Sequence, residues 1–254
     1  TQSLFEKIKQ GDIPEILPSN ILTQYQLCSR YNAIKWIHFP DSDEHMQAAR
    51  YRLKWEELLA SQLKIAQLRL QHTIQQGWKF DKVGSNFNSF YNNHLPFQLT
   101  GAQKRVLKEI RLDTATGKQM NRLLQGDVGS GKTMVAVMSM LLAMDNGFQA
   151  CLMAPTEILA QQHYQSVKEL LTPMNIPVAI LTGTTKGKER KETLAGLQTG
   201  TIPIVVGTHA LLEDTVQFSN LGMAIIDEQH RFGVAQRSRL WQKNSTPPHV
   251  LVMT

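Results

Sequence analysis

The length, composition and charge of the chain describe an ordinary globular protein. Of its 254 residues, 42% are hydrophobic and 19% are charged, which excludes an intrinsically disordered or collagen-like chain. The formal net charge of +6 is compatible with a polyanionic partner, although many basic proteins bind none.

Helical spacing dominates the first part of the chain. A short helix is predicted to open at Pro18, and a second to start from Ser29 and to end before Pro40. From about residue 43 to 75, apolar residues recur at helical intervals without strict heptads. This helix is therefore expected to pack against a neighbouring domain rather than to form a coiled coil. The segment 77–93, rich in Asn, Ser and Gly, is predicted to be an irregular connection.

After residue 100 the pattern changes to alternating strands and helices. Short apolar runs predict strands at 122–125, 150–154, 178–181, 204–206, 223–226 and 250–253. Helices are predicted between several of them, at 132–144, 157–171 and 188–198. Because parallel strands that are covered on both faces are apolar along their whole length, this pattern predicts an α/β fold with a mostly parallel sheet.

The strongest local motif follows the first predicted strand. It fits the phosphate-binding pattern G-x-x-x-x-G-K-[ST] and opens the next helix, as that motif requires. Its residues are Gly126, Asp127, Val128, Gly129, Ser130, Gly131, Lys132 and Thr133. The glycines let backbone N–H groups wrap a nucleotide's phosphates at a helix N-terminus. Lys132 is predicted to neutralise the β- and γ-phosphates, and Thr133 to give Mg²⁺ a hydroxyl ligand.

A pair of acidic residues ends a later apolar run. Asp227 and Glu228 follow the run 223–226 directly, so we expect them at the carboxyl end of a strand, where α/β sheets bind ligands. Asp227 is predicted to hold Mg²⁺, and Glu228 to orient or deprotonate the attacking water. Together with the phosphate-binding loop, the pair predicts an enzyme that hydrolyses a nucleoside triphosphate.

The residues after the acidic pair resemble a known family. The tetrapeptide Asp-Glu-Gln-His at 227–230 is similar to motif II of superfamily 2 helicases and translocases. The string that runs on to Arg237 resembles the RecG family of DNA helicases. This resemblance implies that His230 couples the nucleotide state to movement. The catalytic residues it implies are Lys132, Asp227, Glu228 and His230.

Other segments match the same family in the same order. The segment 95–103 resembles the start of the RecG ATPase lobe, which implies that Phe97 stacks on the adenine and that Gln103 reads its edge. Three later segments are similar to helicase motifs Ia, Ib and Ic, which contact the sugar-phosphate backbone of one strand. Backbone N–H groups and hydroxyls suit such contacts because they bind phosphates without reading sequence. The implied DNA contacts are Pro155, Thr156, Glu157, Thr182, Gly183, Gly207, Thr208 and His209.

The resemblance also implies a domain organisation. Residues 1–76 resemble the helical linker after the RecG wedge domain, and residues 77–254 resemble a RecA-like helicase lobe that stops before motif III. The implied function is an ATP- and Mg²⁺-dependent DNA helicase that remodels branched DNA, such as replication forks and Holliday junctions. The implied partners are DNA and the second motor lobe and wedge domain of a longer protein. Because the second lobe closes the ATP site in this superfamily, the fragment alone is expected to bind ATP weakly and to hydrolyse it poorly.

Cysteine usage and the apolar segments indicate a cytoplasmic location. Cys28 and Cys151 belong to no CxxC pair, so neither a zinc site nor a disulfide framework is predicted. Cys151 lies in an apolar run and is interpreted as a core residue. The N-terminal residues lack the apolar centre of a signal peptide, and the run 134–144 is too short to span a bilayer. We therefore expect no membrane partner.

Three other functions share part of this sequence pattern. A related superfamily 2 translocase, such as transcription-repair coupling factor, shares the Arg-Phe-Gly-Val string but usually departs from Gln-His after the acidic pair. A DEAD-box RNA helicase is disfavoured because Asp-Glu-Ala-Asp is absent. A nucleotide-dependent DNA-binding module without hydrolysis is disfavoured because Mg²⁺ and a water-orienting Glu228 serve no purpose in it.

Overall fold

The structure is a computed structural model that describes residues 7–73, 76–228, 243 and 246–254. The chain divides into two compact units, Thr1–His72 and Thr73–Thr254. The domain boundary predicted after residue 76 lies close to this division. No helix among the described residues is long and apolar enough to cross a membrane.

The described part of the first unit is helical. It contains α1 (Ser19–Gln24), α2 (Arg30–His38) and α3 (Asp43–Thr73) after a 3₁₀ turn at Gln10–Asp12. Pro18 precedes α1 instead of forming its first turn. The hydroxyl of Ser29 accepts a hydrogen bond from the backbone N–H of Asn32 at 3.2 Å, which caps the start of α2. The predicted start of this second helix is thus confirmed.

A buried ion pair joins the elements of the first unit. Arg52 on α3 is fully buried, and its Nη2 donates to Glu15 at 2.6 Å and to Glu56 at 3.3 Å. The second carboxylate oxygen of Glu15 accepts from the backbone N–H of Arg30, at the start of α2, at 2.9 Å. Glu15 therefore links the start of α2 to the buried Arg52 on α3.

The second unit is an α/β layer structure. In the part of this unit that the structure describes, the α-helices are α4 (Ser85–Ser89), α5 (Gly101–Thr114), α6 (Lys132–Asp145), α7 (Glu157–Leu171) and α8 (Gly187–Thr199). Its strands are β1 (Asn121–Leu124), β2 (Gln149–Met153), β3 (Val178–Leu181), β4 (Ile204–Gly207), β5 (Leu221–Asp227) and β6 (His249–Met253). These strands form one sheet in the order β1-β6-β5-β2-β4-β3, and each neighbouring pair is parallel. The predicted α/β class with a parallel sheet is confirmed.

Two hydrophobic cores cover the two faces of this sheet. Alternate residues of a strand point to opposite faces. On β2, Ala150 and Leu152 join the core formed with α6 and α7, whereas Cys151 and Met153 join the core formed with α8. Burial raises the pKa of the Cys151 thiol to about 12, so this cysteine stays protonated as a core residue, as predicted.

The connection predicted to be irregular over 77–93 contains the short helix α4, so this prediction is wrong in part. Asp145, the last residue of α6, caps the helix through its carboxylate. It accepts backbone N–H groups from Gly84 at 2.9 Å and from Asn86 and Phe87 at 3.0 Å each. Because the capping group is 61 residues from Gly84 in sequence, no local pattern could indicate the helix.

Replacing Asp145 by Ala is expected to lower the free energy of unfolding by about 3 kcal/mol, because three N–H groups lose one charged acceptor. Urea unfolding measures this change. Asp81→Ala, in the same connection but exposed and paired with the exposed Lys79 at 3.7 Å, is the control and should change stability by less than about 0.5 kcal/mol. Equal effects of the two variants would contradict the capping role.

A buried histidine at the amino-terminal edge of the sheet links β6 to two other segments of the chain. His249, the first residue of β6, is fully buried. Its Nδ1 accepts the backbone N–H of Met120 at 2.9 Å, and its Nε2–H donates to the carbonyl of Trp78 at 2.8 Å. This arrangement needs the neutral ring, because Nδ1 must keep its lone pair. Burial lowers the pKa of His249 from 6.5 to about 4.

The unfolded chain therefore binds a proton at His249 between pH 6.5 and about pH 4 that the folded chain does not bind. The contribution of His249 to stability is complete above pH 6.5 and is expected to decline by roughly 3 kcal/mol as the pH falls to about 4. Urea unfolding at pH 7.5 and 4.5 tests this. His249→Gln should remove this part of the pH dependence, and the exposed His209→Gln should keep it. Identical pH dependence in all three proteins would contradict the assignment.

Candidate functional site

The phosphate-binding loop connects β1 to α6 in a conformation that needs glycine. Gly129 and Gly131 have φ values of +79° and +80°, in the left-handed region that other residues rarely adopt. A Cβ on Gly126 would lie 2.7 Å from the hydroxyl oxygen of Ser130. Gly126 therefore lies close to Ser130, and the loop leads directly into the N-terminus of α6, where backbone N–H groups and the helix dipole attract anions.

Lys132 places a positive charge inside this loop. Its Nζ donates to the carbonyl of Gly126 at 2.5 Å and to that of Asp127 at 2.9 Å. These bonds hold the ammonium group beside the loop backbone at the first residue of α6. Val128, at the tip of the loop, is fully exposed.

A pocket of about 530 Å³ opens next to the loop. The predicted residues that line it are Phe97, Gly129, Ser130, Gly131, Lys132 and Thr133. Residues that sequence reasoning missed also line it, namely Pro96, Met134, Ser166, Glu169 and Leu170. The last three share one face of α7 at helical spacing, but only the folded chain brings that face to the loop. The half-exposed Phe97 offers an aromatic ring on the other side.

Gln103 lies behind the loop rather than in the lining of the pocket. Its Oε1 accepts the backbone N–H of Thr100 at 2.9 Å, and the Thr100 hydroxyl accepts the N–H of Gln103, which forms a capping box at the start of α5. Its Nε2 donates to the carbonyl of Ser130 at 3.0 Å. Gln103 therefore ties α5 to the phosphate-binding loop, while its reading of an adenine edge stays a prediction.

The acidic pair stands at the carboxyl edge of the same sheet. Asp227 is the last residue of β5, and β6 alone separates β5 from β1. Parallel strands bring their carboxyl ends together, so Asp227 and the loop after β1 share this edge. Asp227 Oδ2 lies 2.7 Å from Nε2 of His163 on α7. His163 was missed by sequence reasoning, because it carries no motif signal beyond its place on a helix.

Glu228 has a backbone conformation that is rare for its residue type. Its φ is +50°, in the left-handed region. Its N–H donates to the carbonyl of Met253 on β6 at 2.9 Å. The next carbonyl along, that of Thr254, accepts the N–H of Gly126 at 3.2 Å. The end of β6 thus holds the acidic pair and the base of the phosphate-binding loop together, and strained residues of this kind cluster at functional sites.

The residues of this edge fit a nucleoside triphosphate with Mg²⁺. The glycine cradle, the Lys132 ammonium and the start of α6 suit phosphates. Among the described residues, no group of three or more His, Cys, Asp or Glu could hold a metal by itself. Mg²⁺ is usually held by one or two protein oxygens together with water and substrate phosphates. Thr133 and Asp227 offer such oxygens.

Two of the segments predicted to touch DNA, those around Glu157 and Thr182, lie together at the start of α7. Thr156 caps this helix, since its hydroxyl accepts the N–H of Leu159 at 3.3 Å. The carboxylate of Glu157 accepts the N–H and the hydroxyl of Thr184 at 3.2 and 3.1 Å. It therefore joins the start of α7 to the loop that follows β3. A groove of about 540 Å³ runs along this junction and is lined by Glu157, Ile158, Gln161, Gln162, Gln165, Thr182 and Thr184.

The other predicted DNA contacts are not lining residues of this groove. Pro155 and Gly183 flank it in sequence. Gly207 ends β4, and His209 is exposed in the following turn. Thr208 is almost fully buried. These contacts stay predictions, and His230 and the string 231–237 lie outside the described residues.

Comparisons with known proteins agree with this arrangement. Residues 100–254 match the model of the DEAD/DEAH box helicase family. The ATP-dependent DNA helicase RecG of Synechocystis is 47% identical over 94% of this chain and 28% of its own length. The RecG of Bacillus subtilis is 45% identical over 95% and 35%.

A solved structure, that of RecG bound to a three-way DNA junction, matches with a TM-score of 0.80 and 42% identity over 95% of this chain and 32% of that one. The chain thus spans about a third of the length of these relatives. The parallel sheet, the glycine loop and the acidic pair at one edge are what the family match leads one to expect. The chain therefore belongs to the DEAD/DEAH box helicase family, and within that family it is similar to the RecG helicases over nearly its whole length.

Proposed function

We propose that this chain forms the first motor lobe of an ATP-dependent DNA helicase that remodels branched DNA. One observation carries the proposal: the phosphate-binding loop and the Asp227–Glu228 pair meet at one sheet edge. Helix α7 borders both the phosphate-binding loop and Asp227, and the groove lies at the start of this helix. The similar RecG structure was solved on a three-way DNA junction, which supports branched DNA as the substrate class.

Each residue of the edge has a role in this proposal. The loop N–H groups and Lys132 bind the phosphates, and Phe97 stacks on the base. Thr133 and Asp227 hold Mg²⁺, which neutralises charge on the phosphates when bound. Glu228 orients the attacking water and accepts its proton. Phosphoryl transfer depends on the positions and charges of the groups around the phosphate. In this proposal the strained backbone of Glu228 sets the direction of its carboxylate.

The groove at the start of α7 is suited to a single nucleic-acid strand. Hydroxyl and amide side chains and backbone N–H groups bind the sugar-phosphate backbone without reading sequence. Glu157 organises this surface through Thr184 rather than by meeting a phosphate, because two negative charges repel. The second motor lobe and the wedge domain of a longer protein, and a cytoplasmic location, belong to the same proposal.

The test is a fork-remodelling assay with the complete protein. A forked DNA with a fluorophore and quencher on its two arms should be rearranged with ATP and Mg²⁺ but not with a non-hydrolysable analogue. A protein that binds ATP and forked DNA yet never rearranges the fork would contradict the proposal and favour a binding module without hydrolysis.

A further inference from the structure

His163 lies at the proposed ATP site, but none of the roles described above involves it. His163 on α7 directs Nε2 at Asp227 Oδ2, and the two atoms are 2.7 Å apart. Only 16% of the His163 side chain and 15% of the Asp227 side chain are exposed. An ionised carboxylate can only accept, so the Nε2–H of His163 is the donor. A charge-assisted hydrogen bond of this kind, largely shielded from water, holds both partners firmly.

The hydrogen bond from His163 restrains the orientation of the Asp227 carboxylate as well as its distance from the ring. A carboxylate at a strand end can rotate about its side-chain torsions, and its second oxygen then has no defined direction. A hydrogen bond to Oδ2 from a ring on a packed helix removes that freedom. The direction of Oδ1 is then set by the position of α7.

The same helix contacts two other parts of the proposed machinery. Ser166 and Leu170 follow His163 at helical spacing and line the pocket beside the phosphate-binding loop. At its first residue, Glu157 holds the loop that contains Thr184. A shift of α7 would therefore move His163 and, through the hydrogen bond, the carboxylate of Asp227.

We propose that His163 is a positioning residue that orients Asp227 for the Mg²⁺ of the bound nucleotide. This inference rests on the proposed function. It predicts that loss of the donor weakens binding of the metal together with the nucleotide and lowers kcat, while nucleotide affinity without metal changes little. Hydrogen-bonded partners of metal ligands typically change metal affinity about 10- to 100-fold when they are removed.

Two variants of equal length separate positioning from packing. In His163→Gln the side-chain Nε2 reaches the position of the histidine Nε2, so the donor is kept. In His163→Met the volume is kept and the donor is lost. Lys168→Ala, an exposed change on the same helix, is the control. Thermal unfolding reports whether each variant is folded. If the Met variant does not fold, His163→Asn replaces it, because asparagine is polar but too short to donate to Asp227.

The measurement is Mn²⁺ binding to the complete protein, followed by electron paramagnetic resonance with a non-hydrolysable ATP analogue. We expect His163→Met to weaken Mn²⁺ binding at least about 10-fold. Gln should restore it to within about 3-fold, and Lys168→Ala should leave it unchanged. ATP turnover should show the same order through kcat.

Normal Mn²⁺ affinity in the Met variant would overturn the inference, as would an equal loss in the Gln and Met variants. If the wild-type protein bound no Mn²⁺ with the analogue, the proposed function itself would fail. The two failures are therefore distinguishable.

Discussion

Replacing Glu228 by Gln is expected to lower the kcat for ATP hydrolysis by roughly 10²- to 10⁴-fold, the usual contribution of a general base. The amide has the size of the carboxylate but cannot accept the proton of the attacking water. The backbone bond from Glu228 to Met253 does not involve the side chain, so the fold and nucleotide binding should be kept. Steady-state turnover, together with binding of a fluorescent ATP analogue, measures both quantities.

Asp214→Asn is the matched control for this change, because it also neutralises a carboxylate, but at an exposed position without a proposed role. It should leave turnover within about twofold, as expected for surface substitutions. Intact turnover in Glu228→Gln would remove the catalytic assignment, although the nucleotide-binding assignment of the loop would survive.

Replacing Lys132 by Met is expected to weaken ATP binding on the order of 10²-fold, because a charge-assisted interaction with the phosphates is lost. Methionine keeps most of the aliphatic stem, so the change reports mainly on the charge. Titration with a fluorescent ATP analogue gives the dissociation constant.

Lys118→Ala is the control for the Lys132 variant. This lysine is exposed and precedes β1, at the opposite end of the strand from the phosphate-binding loop. The Lys118→Ala protein should bind the ATP analogue with the same dissociation constant as the wild type. Equal ATP affinity in all three proteins would contradict the assignment of residues 126–133 as the phosphate site.

The sequence was informative where structure depends on neighbours along the chain. Strands that are buried on both faces must be apolar throughout, so the runs around Cys151 and Ile225 predicted the sheet. The loop at 126–133 was predictable because its glycines and its helix start are contiguous. Asp227 and Glu228 were predictable because an apolar run ends at them.

Features that depend on distant residues could not be predicted in this way. Helix α4 forms where the carboxylate of Asp145 meets its N–H groups, and that meeting exists only in the folded chain. His163 reaches Asp227 only in the folded chain, where α7 packs on the sheet against β3 and β4. Gln103 matched a family pattern, but its bond to Ser130 follows from how α5 approaches the loop.

The resemblance predicted DNA-contact segments but not which of their side chains share a surface. Thr182 and Glu157 line one groove, whereas the similar-looking Thr208 is almost fully buried after β4. Hydroxyl residues near strand ends serve as caps, core residues or ligands, and burial decides between these uses.

The most direct test of the central claim is the ATP turnover of the complete protein with forked, single-stranded and duplex DNA. A branched-DNA motor should hydrolyse ATP at least about tenfold faster with the fork than without DNA, and faster than with either linear DNA. The stimulation should be absent in Glu228→Gln. ATP hydrolysis that responds to none of the three DNAs, or a stimulated rate that survives in Glu228→Gln, would contradict the claim.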